Sequence, residues 1–273
     1  MERIVTGPAT AASPPLGTPF PTGSLPDVAG LLDGVPRQRE LPAPAVPAPA
    51  PAAAAPAPAR TRFSFRPWHL LPGPVRTPFT FAYTAVLAVT SLIAAYAAPG
   101  LMYALYQDSS TDVAHLVRTP VLVLLASALW IAGGVLSPYA VAFVLVLTAL
   151  ERRIGGARAA CVFLTGHVLA TLATEVPVGL AVLFGHLPTT SLHRLDYGIS
   201  FGVAASVGAL AGLLTPWVRW PVLALAAGML VNDLIAFQDP MTNWGHLIAL
   251  GLGVAGWPLV RSWRLPALSP VSV

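Results

Sequence analysis

The feature that most limits this chain is a succession of apolar runs: residues 79–97, 119–150, 159–184, 197–214, 221–237 and 244–260. About 20 apolar residues of helix match the ~30 Å hydrocarbon core of a bilayer. A backbone in lipid must satisfy its own hydrogen bonds, which a helix does within itself. The sequence therefore predicts an all-α polytopic membrane protein. The run 119–150 is too long for one span, since as a single helix it would extend about 48 Å at ~1.5 Å per residue. Gly133, Gly134 and Pro138 interrupt it. It divides into a part-embedded approach, Thr119–Ala132, and a short span, Val135–Leu150. Six spans result, with a part-embedded excursion after the first.

The 15 basic residues, all arginine, exceed the 11 acidic ones, and their placement explains the excess. With the N-terminus inside, Arg60, Arg62, Arg66, Arg76, Arg152, Arg153, Arg158, Arg219, Arg261 and Arg264 fall on one side of the membrane. Arg118 and Arg194 fall on the other. Cytoplasmic loops are enriched in arginine, so both termini are expected in the cytoplasm, and no nucleic-acid partner is implied. Trp68, Trp217, Trp220 and Trp263 fall at headgroup depth on the same inner side. Richness in Ala, Pro, Gly and Arg with no Lys suggests a GC-rich bacterial genome, and with it the bacterial inner membrane.

Residues 1–76 carry a Pro/Ala tract and no spanning run, as expected of a disordered cytoplasmic tail. The first long apolar run begins only near Phe79, which argues against a secretory leader. Residues 77–264 form the predicted transmembrane domain, and 265–273 a short cytoplasmic tail. The single cysteine, Cys161, allows neither an internal disulfide nor a cysteine metal site. No motif calls for a metal or cofactor.

Polar side chains within apolar spans are expected to face the bundle interior or a wet hollow. On the third run His167, Thr171, Thr174 and Glu175 share one helical face. The fourth opens with Asp196, Gly198 and Ser200, the fifth ends with Asn232 and Asp233, and the sixth begins with Asn243 and His246. Small residues recur at four-residue spacing in the fourth run (Ser200, Ala204, Gly208, Gly212) and in the sixth (Gly245, Ala249, Gly253). That spacing lets membrane helices approach closely. Spans four and six are therefore predicted to touch. Both start from the outer face, which places Ser200 and His246 near equal depth. A hydroxyl and an imidazole ~2.6–3.2 Å apart are the nucleophile and general base of covalent hydrolysis.

Three segments, in this order, carry a resemblance: Leu150-Glu151-Arg152-Arg153-Ile154-Gly155, Gly198-Ile199-Ser200 and Gly245-His246-Leu247. With the excursion after span one, the stretch from Phe79 to Arg264 resembles the rhomboid family of intramembrane serine proteases. The resemblance implies a six-helix bundle with a part-embedded loop after helix 1. Glu151, Arg153 and Gly155 match the family's structural turn, while Ala249 and Gly253 match the small residues that pack span six on span four. Ser200 would be nucleophile and His246 general base, in a dyad without a carboxylate. The substrate would be a transmembrane segment, and water would enter from the outer face. Gly198 and His167 are the candidate oxyanion or polar support.

The chain also departs from the family pattern. The His-x-x-x-Asn pair of span two is replaced by Val135 and Tyr139, the glycine after the nucleophile by Phe201, and the aromatic four residues beyond it by Ala204. The first reading is an intramembrane serine endopeptidase using Ser200 and His246. The alternative is a catalytically inactive rhomboid that binds membrane clients. A further alternative, from another class, is a small transporter or ion-binding protein built on His167, Glu175, Asp196 and Asp233. All three have the lipid bilayer as a partner, and the first two add transmembrane segments of substrates or clients.

Overall fold

The computed structural model describes residues 70–237 and 239–265. Among them every regular element is helical: α1 (Pro78–Tyr96), α2 (Pro99–Asp108), α3 (Val113–Arg118), α4 (Pro120–Ser127), α5 (Pro138–Ala142), α6 (Thr148–Ile154), α7 (Gly156–Leu183), α8 (Ser200–Ala211), α9 (Pro216–Ile235), α10 (Pro240–Ala255) and α11 (Trp257–Ser262). A π turn, Phe143–Leu147, joins α5 to α6 without a break. Proline occupies one of the first two positions of α1, α2, α4, α5, α9, α10 and α11. There its missing N–H costs no hydrogen bond and its fixed φ suits a helix. Much of the proline in this domain therefore starts helices.

By length and composition, α1, α7 and α9 are long and apolar enough to cross a membrane. The long second run breaks where its glycines lie. Gly133 and Gly134 both have φ +80°, so α4 ends before them and α5 starts at Pro138. The fourth run is shorter as a helix than its apolar residues suggest. The 12 residues of α8 span about 18 Å at ~1.5 Å per residue. Its first turn is delayed because the preceding amides bond elsewhere: Gly198 N–H to Ser127 O (3.0 Å) and Ile199 N–H to Trp130 O (3.2 Å). Almost every residue of α8 is buried, so its ends meet neighbouring helices.

The α8–α10 contact is as close as the small-residue rows require. A methyl on Gly253 would overlap Ala205 O and Ala209 N, and one on Gly208 would overlap Leu250 O. Ala249 is fully buried between them. On the other side of α8, Tyr83, Phe143 and Phe163 meet edge to face at centroid distances of 5.0–5.8 Å, beside Ile199 and Val203.

The excursion α2–α4 is stitched to the bundle. Tyr83 Oη donates to Ala128 O (2.7 Å) and Thr90 Oγ1 to Leu129 O (2.7 Å), while Tyr106 stacks on Tyr197 at 4.4 Å. At the opposite end, Gly155 (φ +86°) makes the sharp turn from α6 to α7. The buried Glu151 carboxylate accepts from Phe79 N–H (3.0 Å), Thr80 N–H (2.8 Å) and Thr80 Oγ1 (2.6 Å). It thus satisfies first-turn amides of α1 that no helix can satisfy itself. Arg153 Nη1 bonds Ala149 O (2.8 Å), and its carbonyl accepts from Leu265 N–H (2.8 Å).

Of the predicted N-terminal tail, residues 1–69 lie outside the described residues, as do 266–273 of the C-terminal one. Residues 73–77 form a turn closed by Thr77 N–H to Gly73 O (2.9 Å) and Gly73 N–H to Thr77 Oγ1 (2.8 Å).

Candidate functional site

Ser200 is the first residue of α8 and is half-buried. His246, in the second turn of α10, is 4% exposed. The two helices run in the same direction: Gly245 faces Phe201, and Gly253 faces Ala205 and Ala209. Ser200 and His246 therefore start at similar depth. No hydrogen bond joins them. His246 Nδ1 instead lies 3.2 Å from Tyr139 Oη, and the two rings stack at 4.9 Å with 22° between planes. The edge contact on the imidazole comes from Phe201 at 5.1 Å. His246 Nε2 is buried with no partner.

Tyr139 comes from α5, so the aromatic support that the family pattern takes from the position of Ala204 is here supplied by α5. The partner nitrogen's hydrogen bond decides which tautomer an imidazole adopts. With Tyr139 Oη as donor to Nδ1, the ring proton is on Nε2, and Nε2 then donates and cannot take the Ser200 proton. Tyr139 Oη has no other acceptor among the described residues, which favours that polarity.

The two residues expected to support an oxyanion are bonded to the excursion. Gly198, at φ +123°, gives its N–H to Ser127 O. His167 Nε2 lies 3.1 Å from both Ser127 Oγ and Leu124 O, which makes it a buried anchor for the end of α4. Val135, in the place of the family histidine, is 57% exposed. The donors left near Ser200 are the first-turn amides of α8. Val203 N–H is the first to find a carbonyl, Ile199 O at 3.0 Å.

Beside His246 a cavity of about 230 Å³ runs between α5, α8, α9 and α10, lined by Tyr139, Ala142, Ala204, Met229 and Asp233 among others. Its α9 wall is loosely held, since Leu230 is the one buried residue of that helix. Asp233 itself is exposed.

Arg194 is the hub that sequence reasoning missed. Its guanidinium bonds Glu175 on α7 and reaches Asp239 (3.3 Å) and Thr242 (2.9 Å) at the start of α10, with Asp196 at 3.7 Å. Asp196 in turn accepts through its carbonyl from Thr111 N–H (2.8 Å) of the excursion. Burial pushes the Asp196 carboxyl above its ordinary value, an effect that the Arg194 charge opposes. Burial works against the Arg194 charge, but Asp196 and Glu175 outweigh it and hold the guanidinium above its usual pKa. The sequence signal was an arginine two residues before Asp196, which the fold brings to a glutamate deep in α7. Among the described residues no group of three His, Cys, Asp or Glu side chains is placed to hold a metal.

An all-helical bundle whose long helices expose leucine, valine and isoleucine, and which sinks a serine and a histidine on two parallel helices, is an integral membrane protein with a polar site below its surface. A model of the family described as rhomboid-like protein matches residues 75–265. The chain belongs to the rhomboid-like family. No curated protein and no solved structure matches it.

Proposed function

We propose that this rhomboid-like membrane protein receives a transmembrane segment of a client protein through the gap between α5 and α9 and holds it there without cleaving it. The observation that carries this reading is the bonding of His246. Its Nδ1 is taken by Tyr139, its face and edge are covered by Tyr139 and Phe201, and Ser200 is not bonded to it. A dyad needs the nucleophile hydrogen-bonded to the base and donors aimed at the developing oxyanion. Here the family's side-chain donor positions hold Val135, which has no donor, and Tyr139, whose hydroxyl is taken by His246, while Gly198 and His167 are engaged with α4.

The topology that suits this function is six spans: α1, α5 with α6, α7, α8, α9, and α10 with α11. The N-terminal tail and the arginine-rich end lie in the cytoplasm, and the Ser200 end faces outward. The transporter reading has less support, because Arg194 neutralises Glu175 and Asp196 in one cluster.

A second reading, the serine endopeptidase, is favoured by the unpartnered His246 Nε2. With the opposite tautomer, Nε2 takes the Ser200 proton as Oγ attacks the peptide carbonyl. The oxyanion then meets the first-turn amides of α8, the leaving amine takes the proton back, and water hydrolyses the acyl-enzyme. A fluorophosphonate probe on the purified full chain separates the two. The client-binding reading expects no label at Ser200 while a transmembrane peptide still cross-links between α5 and α9. Labelling that disappears in Ser200→Ala overturns it in favour of the endopeptidase.

A further inference from the structure

At the arginine-rich end, far from Ser200, a furrow of about 140 Å³ opens between α7 and the α10–α11 pair, floored by α8. It exists because its floor and one wall carry little side chain: Gly166, Ala205, Ala209, Gly253 and Gly256 line it. Its outer lip is exposed, with Cys161 and Leu169 on α7 and Leu259 on α11. Trp263 closes one end. The furrow is lined by apolar groups apart from the Thr165 hydroxyl and the Cys161 thiol. The furrow is narrow and open along its outer lip, a shape that takes part of an extended hydrocarbon chain.

Three guanidinium groups gather at the Trp263 end. Arg158 Nη1 donates to Trp263 O (2.9 Å) and lies over the Trp263 ring at 5.8 Å. The hydrogen bond from Leu265 N–H to Arg153 O (2.8 Å) brings Arg264 beside Arg153. Among the described residues none of these three arginines forms a salt bridge, the ion pairs being those of Arg194 and His115. Among the described residues the carboxylate on this side, Glu151, is committed to α1. Positive charge without a counter-ion, next to an acyl-sized furrow and an aromatic ring at headgroup depth, is the complement of an anionic amphiphile.

We propose that this furrow is a binding site for one anionic phospholipid, with an acyl chain between α7 and α10 and the phosphate at Arg158 and Arg264. The site would anchor the α10–α11 end, and through α8 it adjoins the helix pair that carries Ser200 and His246. It does not depend on whether the protein cleaves its clients.

The single cysteine makes the test direct, since Cys161 lines the furrow and is exposed. The full chain, in a neutral detergent, is titrated with phosphatidylglycerol or phosphatidylcholine while Cys161 alkylation by N-ethylmaleimide is followed by intact mass. Phosphatidylglycerol is expected to slow alkylation, and phosphatidylcholine at the same mole fraction is not. Combining Arg158→Gln with Arg264→Gln should raise the half-protecting phosphatidylglycerol concentration roughly 30-fold, from ~1 kcal/mol per arginine. Native mass spectrometry supplies the second arm. Thr165→Trp, which fills the furrow and keeps the arginines, should lose the phosphatidylglycerol adduct. Equal protection by both lipids, or protection unchanged in the arginine variant, would overturn the site. So would an adduct retained in Thr165→Trp. A cysteine already protected before lipid is added would assign the furrow to a segment of this chain or to a second copy, and would equally remove the proposal.

Discussion

Glu151 does at one residue what a helix cannot do for itself. Its two oxygens take the first-turn amides of α1 and the Thr80 hydroxyl, and the glycine at 156 leaves room for it, since a methyl there would crowd Glu151 Oε1. Glu151→Gln keeps the shape but turns one acceptor into a donor facing donors, at a buried site that is 2% exposed. A loss of about 1–3 kcal/mol is expected, read as a lower melting temperature in detergent; an unchanged melting temperature would deny the carboxylate this role. Tyr139 is the other residue on which much turns. Tyr139→Phe keeps the ring stacked on His246 and removes the hydroxyl that fixes its tautomer. In that variant Nε2 is free to accept a proton, so fluorophosphonate labelling of Ser200 is expected to rise above that of the parent chain. Labelling that stays at baseline would mean that the missing oxyanion donors, and not the tautomer, silence the site.

At the scale of elements, the α8–α10 pairing was legible because lipid offers no hydrophobic drive between helices, so a close contact must be written in small residues at four-residue spacing. Gly253 and Gly251 test this on one helix. Gly253→Ala forces α8 and α10 apart and is expected to cost about 1–3 kcal/mol. Gly251, with nothing within 4 Å of an added methyl, should tolerate alanine or gain up to about 1 kcal/mol from helix propensity. Thermal unfolding of the two variants side by side gives the comparison, and equal effects would contradict the contact. The boundaries of α8 were not legible, because they depend on amides of Gly198 and Ile199 bonding to a segment some seventy positions earlier in the chain. Arg194 escaped notice for the same reason: Glu175, Asp196 and Asp239 come together only once α7, the segment before α8 and α10 have packed. Arg194→Gln leaves Glu175 as a buried carboxylate without its cation, and a loss of about 3–5 kcal/mol is expected. Adding Glu175→Gln should recover most of it, and a double variant no more stable than the single one would show that the pair is not what the cluster depends on.

The described residues divide into a tightly packed side and a loosely packed one. α7, α8 and α10 share their buried faces, with α8 almost enclosed, whereas α9 buries Leu230 alone and stands beside the cavity next to His246. Sequence patterning reveals which segments are apolar, but an apolar residue facing lipid and one facing a neighbouring helix read alike. For that reason the looseness of α9, and the lateral opening it creates, needed coordinates. If clients enter there, fixing α9 to α5 must stop them. With Cys161→Ser as background, cysteines at Ala142 and Ala226, both on the cavity wall, can be bridged by a short bismaleimide. The bridge is expected to abolish photo-cross-linking of a transmembrane peptide to a probe at Met229. The same bridge between Ala95 and Val135, which line the separate cavity beside α1, should leave it unchanged. Loss of cross-linking with the α1 bridge and not with the α9 bridge would move the entry route to the other side of the bundle, and with it the surface on which clients are held.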